Sequence, residues 1–450
     1  MRKRLEQYSN HEYWISFPIK HNSTQEARMF SHRTKKSSVL RIIFLWIILL
    51  LTACSSQRAQ VNFVFIPTNV DFTETYWRGV IKDFETQNPD IQVNLYMYTW
   101  NNVQEKIKGM IAQGNPPTLA RVATKWIPEY VAAGLLEPVD SHMSPEFRSQ
   151  FIPLLINEGS QYEGRTFGLP ITVSSRALYY NKTLFKQAGL TSPPENWADL
   201  RTAAQAIHAL GPNTYGFSIQ GKDAETSTYF YYFLWGNGGD ILSKDGTRPT
   251  FNGAEGQEAL QFLKGMIDDG LTQPNPTESV RKDMETAFVE GKLGMVITGP
   301  WLAKRLATDA PTLEYGLSTI PYQTTPTTLA AQDTLILFKQ ADNKEAAWKF
   351  VEFLYADKYR LKYALGDGVL PEKISVAQNS QIAENPAYSF FMEKLPTGKF
   401  EPLNVKSADI SNVVAASLQS AYRNEISITE ALNIAAAKVS QLLSYSATSW

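Results

Sequence analysis

One cysteine and a surplus of aromatic rings set the chemistry open to this chain. Cys54 is the only cysteine in 450 residues. It closes Leu51-Thr52-Ala53-Cys54, behind an apolar run over 42–51 and the basic residues Arg33, Lys35, Lys36 and Arg41. That run of about ten residues is too short for a span, which needs about 20, and has the length of a secretory h-region. The small Ala53 suits a peptidase that cuts before the cysteine, and the polar stretch 55–60 follows as a tether would. Cys54 is therefore read as a lipidation site and the segment as a lipoprotein signal. Only His142 and His208 follow it, the other histidines being His11, His21 and His32. Neither a histidine metal cluster nor a cysteine metal site is expected. No G-x-S-x-G, cysteine–histidine pairing or H-E-x-x-H stands in the chain, and no G-x-x-x-x-G-K-[ST] phosphate loop. What remains is a binding set of rings and hydrogen-bonding side chains. Trp301 follows Gly299-Pro300, which fixes its backbone. Tyr231 and Trp235 stand four apart, on one face of an expected helix. Arg121, Trp126, Trp100 and Asn69 fall in expected strand-edge loops.

The elements that position these residues begin late. The polar leader 1–28 precedes Met29, Ser31, His32 and Arg33, an ordinary signal start. The reading is a non-native extension over 1–28, a signal peptide over 29–53 and a tether over 54–60. Nine Lys/Arg and three Asp/Glu precede Cys54, out of 43 and 44, so 34 basic and 41 acidic residues remain, about −7. That balance argues against a nucleic-acid partner, which needs a basic footprint. The remaining chain is long enough for two domains. With one cysteine it holds no internal disulfide, although export would permit one.

Strand-like and helix-like segments then alternate. A strand over 61–66, a helix over 76–87, a strand over 91–98 and a helix over 103–113 give the pattern of a parallel sheet with crossover helices. Asn88-Pro89-Asp90 and Gly114-Asn115-Pro116-Pro117 stop the two helices. Ligands of such sheets bind beyond the carboxyl ends of the strands, so the loop after Ile66 and the surroundings of Arg121 are places to look. Further helices are expected over 126–133, 184–188, 197–210, 255–269, 280–289, 344–355, 411–422 and 428–443. Further strands are expected over 165–169, 177–180, 293–297 and 334–338.

The order of segments resembles the extracellular solute-binding proteins of ABC importers, in the group that includes maltose- and other sugar-binding proteins. Phe84-Glu85-Thr86-Gln87-Asn88-Pro89-Asp90-Ile91-Gln92-Val93 is similar to that family's first helix running into its second strand. Ala133-Gly134-Leu135-Leu136-Glu137-Pro138 matches a family turn. The most specific block is Leu178-Tyr179-Tyr180-Asn181-Lys182 with Leu184-Phe185, Ala188-Gly189-Leu190, Pro193-Pro194 and Trp197. Gly299-Pro300-Trp301 and Ala346-Ala347-Trp348-Lys349-Phe350 complete it. Any one block is weak, whereas their order over nearly the whole exported chain is specific. One departure stands out: Pro116-Pro117 is followed by Thr118, without the family's usual aspartate, and Arg121 lies just beyond. The ligand contact there is expected to differ from the sugar-binding norm.

The resemblance implies an α/β fold of two lobes with a hinge and an interlobe cleft, 61–173 plus 331–358 and 174–330 plus 359–450. The crossings are expected near Ile171–Ser175, Ala330–Thr334 and Ala356–Tyr359. Ser174 and Ser175 lie in the first and Asp333 in the second. Asp367 lies in a late loop that the family aims at the cleft. Sugars offer flat C–H faces to rings and hydroxyl rims to paired donors and acceptors. Aromatics and few cleft cations favour a neutral sugar, while Arg121 leaves an anionic one open, as well as glycerol-phosphate or polyol ligands. The implied function is capture for import, by an exported, lipid-anchored monomer facing the periplasm or cell exterior. Its partners are ABC permease subunits and, through lipid, the membrane, with no cofactor. Two other classes stay open, a binding protein serving a sensor and a lipid-anchored glycoside hydrolase. The latter needs two carboxylates about 5.5 Å or roughly 6.5–9.5 Å apart.

Overall fold

In the computed structural model, residues 58–68, 70–100, 102–222 and 225–444 are described. Cys54, its flanks and Asn69 lie outside the described residues.

The first sheet grows from two strand–helix–strand units. β1 (Ala59–Phe65) pairs in parallel with β2 (Ile91–Met97), with the helix Val70–Gln87 between them in sequence. β3 (Leu119–Ala123) follows the helix Val103–Ala112 and adds in parallel to the other side of β1. Alternation along β1 sends Val61, Phe63 and Phe65 into one core with Trp77, Phe84 and Phe350. Val64 and Ile66 enter another core with Val103, Ile107 and Val122. Parallel strands are covered on both faces in this way, and the expected parallel pattern holds for these three strands.

The later strands pair mostly antiparallel. β4 (Leu136–Glu137) precedes a small hairpin of β5 (Gln161–Tyr162) and β6 (Arg165–Thr166). β7 (Leu169–Ser174) is a strand through Pro170, where a break was expected. Its strand partner among the described residues is β12 (Ala331–Phe338), and on its other side a single bridge joins Val173 to Leu370, so Pro170 without N–H is tolerated there. β12 also lies antiparallel to β3 and β4, so the first sheet runs β2-β1-β3-β12-β4 with β7 beside β12. The second sheet is antiparallel throughout: β8 (Ala177–Asn181) sits between β9 (Met295–Thr298) and β10 (Tyr315–Ser318). The pair β11 (Thr328–Leu329) and β13 (Gly398–Lys399) stands apart.

The chain therefore leaves the first sheet at Ser175–Arg176 and returns between Ser318 and Ala331. Tyr359 and Tyr363 still pack in the first sheet's core, while Leu370 and Ile382 pack in the second's. That second core is built around the helix Glu225–Gly236, which is buried from Thr226 to Gly236. A helix apolar over most of its surface belongs inside. The helices Trp197–His208, Ala254–Asp268, Ser407–Tyr422 and Ile428–Ser444 supply buried residues to the same core. Among the described residues no helix is long and apolar enough to cross a membrane.

Candidate ligand-binding site

Side chains from both sheets' surroundings line a cavity of about 300 Å³. The first sheet offers Trp100, Arg121 and Lys125, the passages between sheets offer Ser174, Arg176 and Asp333, and the second core offers Glu225, Tyr232 and Trp301.

Trp301 opens the helix Trp301–Asp309, just past β9. Its indole folds back over the strand end, where a β-carbon on Gly299 would lie 2.3 Å from the ring, so only glycine fits there. The indole Nε1 donates to Glu285 Oε1 at 2.6 Å, and the Thr298 hydroxyl donates to the same oxygen at 2.6 Å. Glu285 is buried behind the ring rather than lining the cavity. Two guanidinium groups lie over the indole, Arg281 at 4.7 Å and Arg176 at 4.9 Å from the ring centroid. Both are at cation–π distance.

Arg121 sits within β3 rather than after it, on the strand face that carries Leu119. Its Nε and Nη2 both donate to Asp333 Oδ2, at 3.0 and 2.5 Å. Nη1 donates to the Ile66 carbonyl, and Nη2 to Thr68 Oγ1 at 3.3 Å. Burial alone would lower the Arg121 pKa, but Asp333, Tyr363 and Asp367 together outweigh it and the value is raised. Burial lifts the Asp333 carboxyl above its usual range, against the opposing pull of Arg121. The guanidinium also lies 5.6 Å from the ring centroid of Trp100, a second residue of the cavity lining.

The second core contributes through one helix face. Glu225, Thr228 and Tyr232 recur at spacings of three and four, and all three line the cavity. Glu225 pairs with Arg281 at 2.8 Å. Burial works to raise its carboxyl pKa, but Arg281 and Arg176 more than compensate and hold it below the usual range. Burial pushes the Tyr232 phenol up to about 12, so it stays a neutral donor. Thr228 donates to Glu401 at 2.7 Å, and Glu401 accepts from Lys125 at 3.1 Å. That last contact joins the first sheet's side of the cavity to the second's.

The bacterial extracellular solute-binding protein model matches residues 69–360. The chain belongs to that family. A protein of Brucella abortus (strain 2308), named only as a binding protein, is 38% identical over 373 residues, 82% of this chain and 90% of that one. The diacetylchitobiose binding protein of Streptomyces coelicolor is 24% identical over 75% of this chain and 79% of its own. An ABC transporter solute-binding protein of Thermotoga lettingae, solved with α-D-tagatose, superposes with a TM-score of 0.78 at 26% identity. The alignment covers 86% of this chain and all of that one. The two-lobed architecture is thus common to this solute-binding protein and its structural neighbours.

Five of the residues singled out from the sequence line the cavity of this solute-binding protein: Trp301, Arg121, Ser174, Trp100 and Asp333. The other described ones lie elsewhere. Trp235 is buried in the second core and donates to Asp240 Oδ1 at 3.0 Å. Tyr231 is buried beside it, with ring centroids 5.8 Å apart. Both face the interior because their helix is enclosed. Trp126 is buried beneath Trp100, edge to face at 5.6 Å. Ser175 is fully enclosed and donates to the Phe391 carbonyl at 3.3 Å. Asp367 ends the helix Asp357–Asp367 instead of lying in an open loop. It is buried and accepts from Tyr363 at 2.9 Å and Thr73 at 3.2 Å.

The expectation of few cations fails, since Arg121, Lys125, Arg176 and Arg281 all line the cavity. Sequence reasoning missed Arg176, Arg281, Lys125 and Glu401, and missed the face of Glu225, Thr228 and Tyr232. That face had a signal, a polar stripe on an otherwise apolar helix. Arg176 had one too, next to Ser174 and Ser175 in the first passage. Nothing local marks Glu401.

Proposed function

We propose that this protein captures a carbohydrate between its lobes and delivers it unaltered to an ABC permease. The observation that carries the reading is the composition of the cavity. Two indoles and a neutral phenol are set among hydrogen-bonding side chains drawn from both sheets' surroundings. Rings suit the C–H faces of a sugar, and fixed donors and acceptors suit its hydroxyls. The diacetylchitobiose and tagatose ligands of the relatives support the same class. Because contacts come from both sides, ligand favours the closed form by its extra contacts there.

Capture without turnover is favoured by the state of the carboxylates. Asp333, Glu225 and Glu401 each pair with a cation at 3.1 Å or less. A carboxylate already engaged by a cation is poorly placed to attack a sugar or to activate water. The test is incubation of purified protein with mono-, di- and oligosaccharides. A thermal shift with intact sugar recovered is expected, and the appearance of new products would overturn the reading. We further propose that lipid on Cys54 keeps the protein by its permease, through more than one acyl chain, since one chain holds only marginally. Cys54→Ser is expected to leave the membrane fraction, and a variant that still sediments with membranes defeats that anchor.

A further inference from the structure

We propose that the captured sugar carries an acidic group, a carboxylate or a phosphate, and that this group docks on Arg176 with Arg281 beside it. The proposal rests on the carbohydrate reading and narrows its ligand class. It begins with the pairing of charges. Arg121 has Asp333, Lys125 has Glu401, and Arg281 has both Glu225 and Glu285. Among the described residues, Arg176 has no carboxylate within 4.0 Å. Its partners are neutral: Nη1 donates to Ser174 Oγ at 2.9 Å and to the Ser175 carbonyl at 3.3 Å. A guanidinium presents a planar fork that matches carboxylate and phosphate oxygens two at a time.

The surroundings sharpen the point. Arg176 and Arg281 both lie over the ring of Trp301, at 4.9 and 4.7 Å from its centroid, so both guanidinium groups are held at this side chain. Glu225 and Asp333 act on Arg176 only from beyond 4.0 Å, so a docked anion supplies a charged contact that a hydroxyl does not. Arg176 is also well fixed. Its N–H donates to Thr328 Oγ1 at 2.8 Å, and the same hydroxyl donates back to its carbonyl at 2.7 Å. The base of the guanidinium is therefore anchored where the chain passes between the sheets. A sugar ring placed against Trp301 brings its substituents to this fork.

Matched probes test the proposal by calorimetry on the full chain: glucose against glucuronate and glucose 6-phosphate, and galactose against galacturonate and galactose 6-phosphate. An acidic member is expected to bind at least roughly tenfold tighter than its neutral partner, the size of one charge-assisted hydrogen bond. The carboxylate and phosphate arms tell the two sources apart. Rising salt should weaken the acidic ligand more than the neutral one. Arg176→Gln should erase the preference, and Arg176→Lys should restore part of it. Neutral partners binding as tightly as acids, or a preference that survives Arg176→Gln, would overturn the acidic group and leave the carbohydrate reading standing. Failure of every sugar, neutral and acidic, would overturn that reading as well.

Discussion

The aim of Trp301 depends on a carboxylate outside the lining of the cavity. Glu285 Oε1 takes hydrogen bonds from the indole and from Thr298, and the residue is buried. Removing it leaves a buried N–H and a hydroxyl without their acceptor, a cost of about 1–3 kcal/mol. Glu285→Ala is therefore expected to lower stability in urea by that amount and to weaken sugar binding, although Glu285 does not line the cavity. Glu285→Gln retains an acceptor oxygen and should recover most of the binding. An alanine variant that binds at wild-type affinity would show that the ring is held by other means. Legibility at this scale follows from local marking. Gly299-Pro300 announces Trp301, because a glycine and a proline before a tryptophan constrain where its ring goes. Tyr231 and Trp235 carry the same helical spacing as Thr228 and Tyr232, one residue round the helix. Spacing alone finds a face and does not say which face meets the cavity. Only the packing of the helix Ser407–Tyr422 and its neighbours around Glu225–Gly236 decides that.

Elements with an apolar period could be read from the chain, and the helix Asp357–Asp367 shows why others could not. Its buried residues are Tyr359, Arg360, Tyr363, Ala364 and Asp367, so polar side chains occupy positions where a pattern search expects leucines. Burial is possible because the charges are matched. Arg360 donates from Nε to Glu372 Oε1 at 2.5 Å and from Nη2 to Oε2 at 3.1 Å, with both side chains 1% exposed. Nη2 also donates to the Ile171 carbonyl on β7, which ties the helix to the first passage. Glu372→Ala strands a buried guanidinium and is expected to cost about 3–5 kcal/mol. The double replacement Arg360→Met with Glu372→Leu removes both charges and should cost far less. Urea denaturation of the three proteins decides it. A single variant no worse than the double would mean that the pair is not what holds this helix. The third passage was expected over Ala356–Tyr359, and the same helix occupies that stretch, with Tyr359 and Tyr363 in the first core.

At the scale of the molecule, the ordered family blocks anticipated an α/β fold of two lobes, but they left the join obscure. The join is a set of chain passages lying side by side. Ser174 pairs with Ala331, the Leu370 N–H donates to the Val173 carbonyl at 2.8 Å, and Thr328 clasps the backbone of Arg176 from both sides. Such a join bends by small changes spread over strands, unlike a free loop, and it keeps Arg176 in place while the lobes approach. Closure then gains most from ligand contacts that bridge the cavity, as the Lys125–Glu401 pair already does. Small-angle scattering on the purified protein should show the radius of gyration falling when a bound sugar is added. Thr328→Ala removes both hydrogen bonds to Arg176, at about 1 kcal/mol each in stability. That variant should stay folded, bind more weakly and contract less. A radius of gyration that does not move on saturation with a tight ligand would mean that the lobes do not close around it. The cavity would then have to be filled in the form already present.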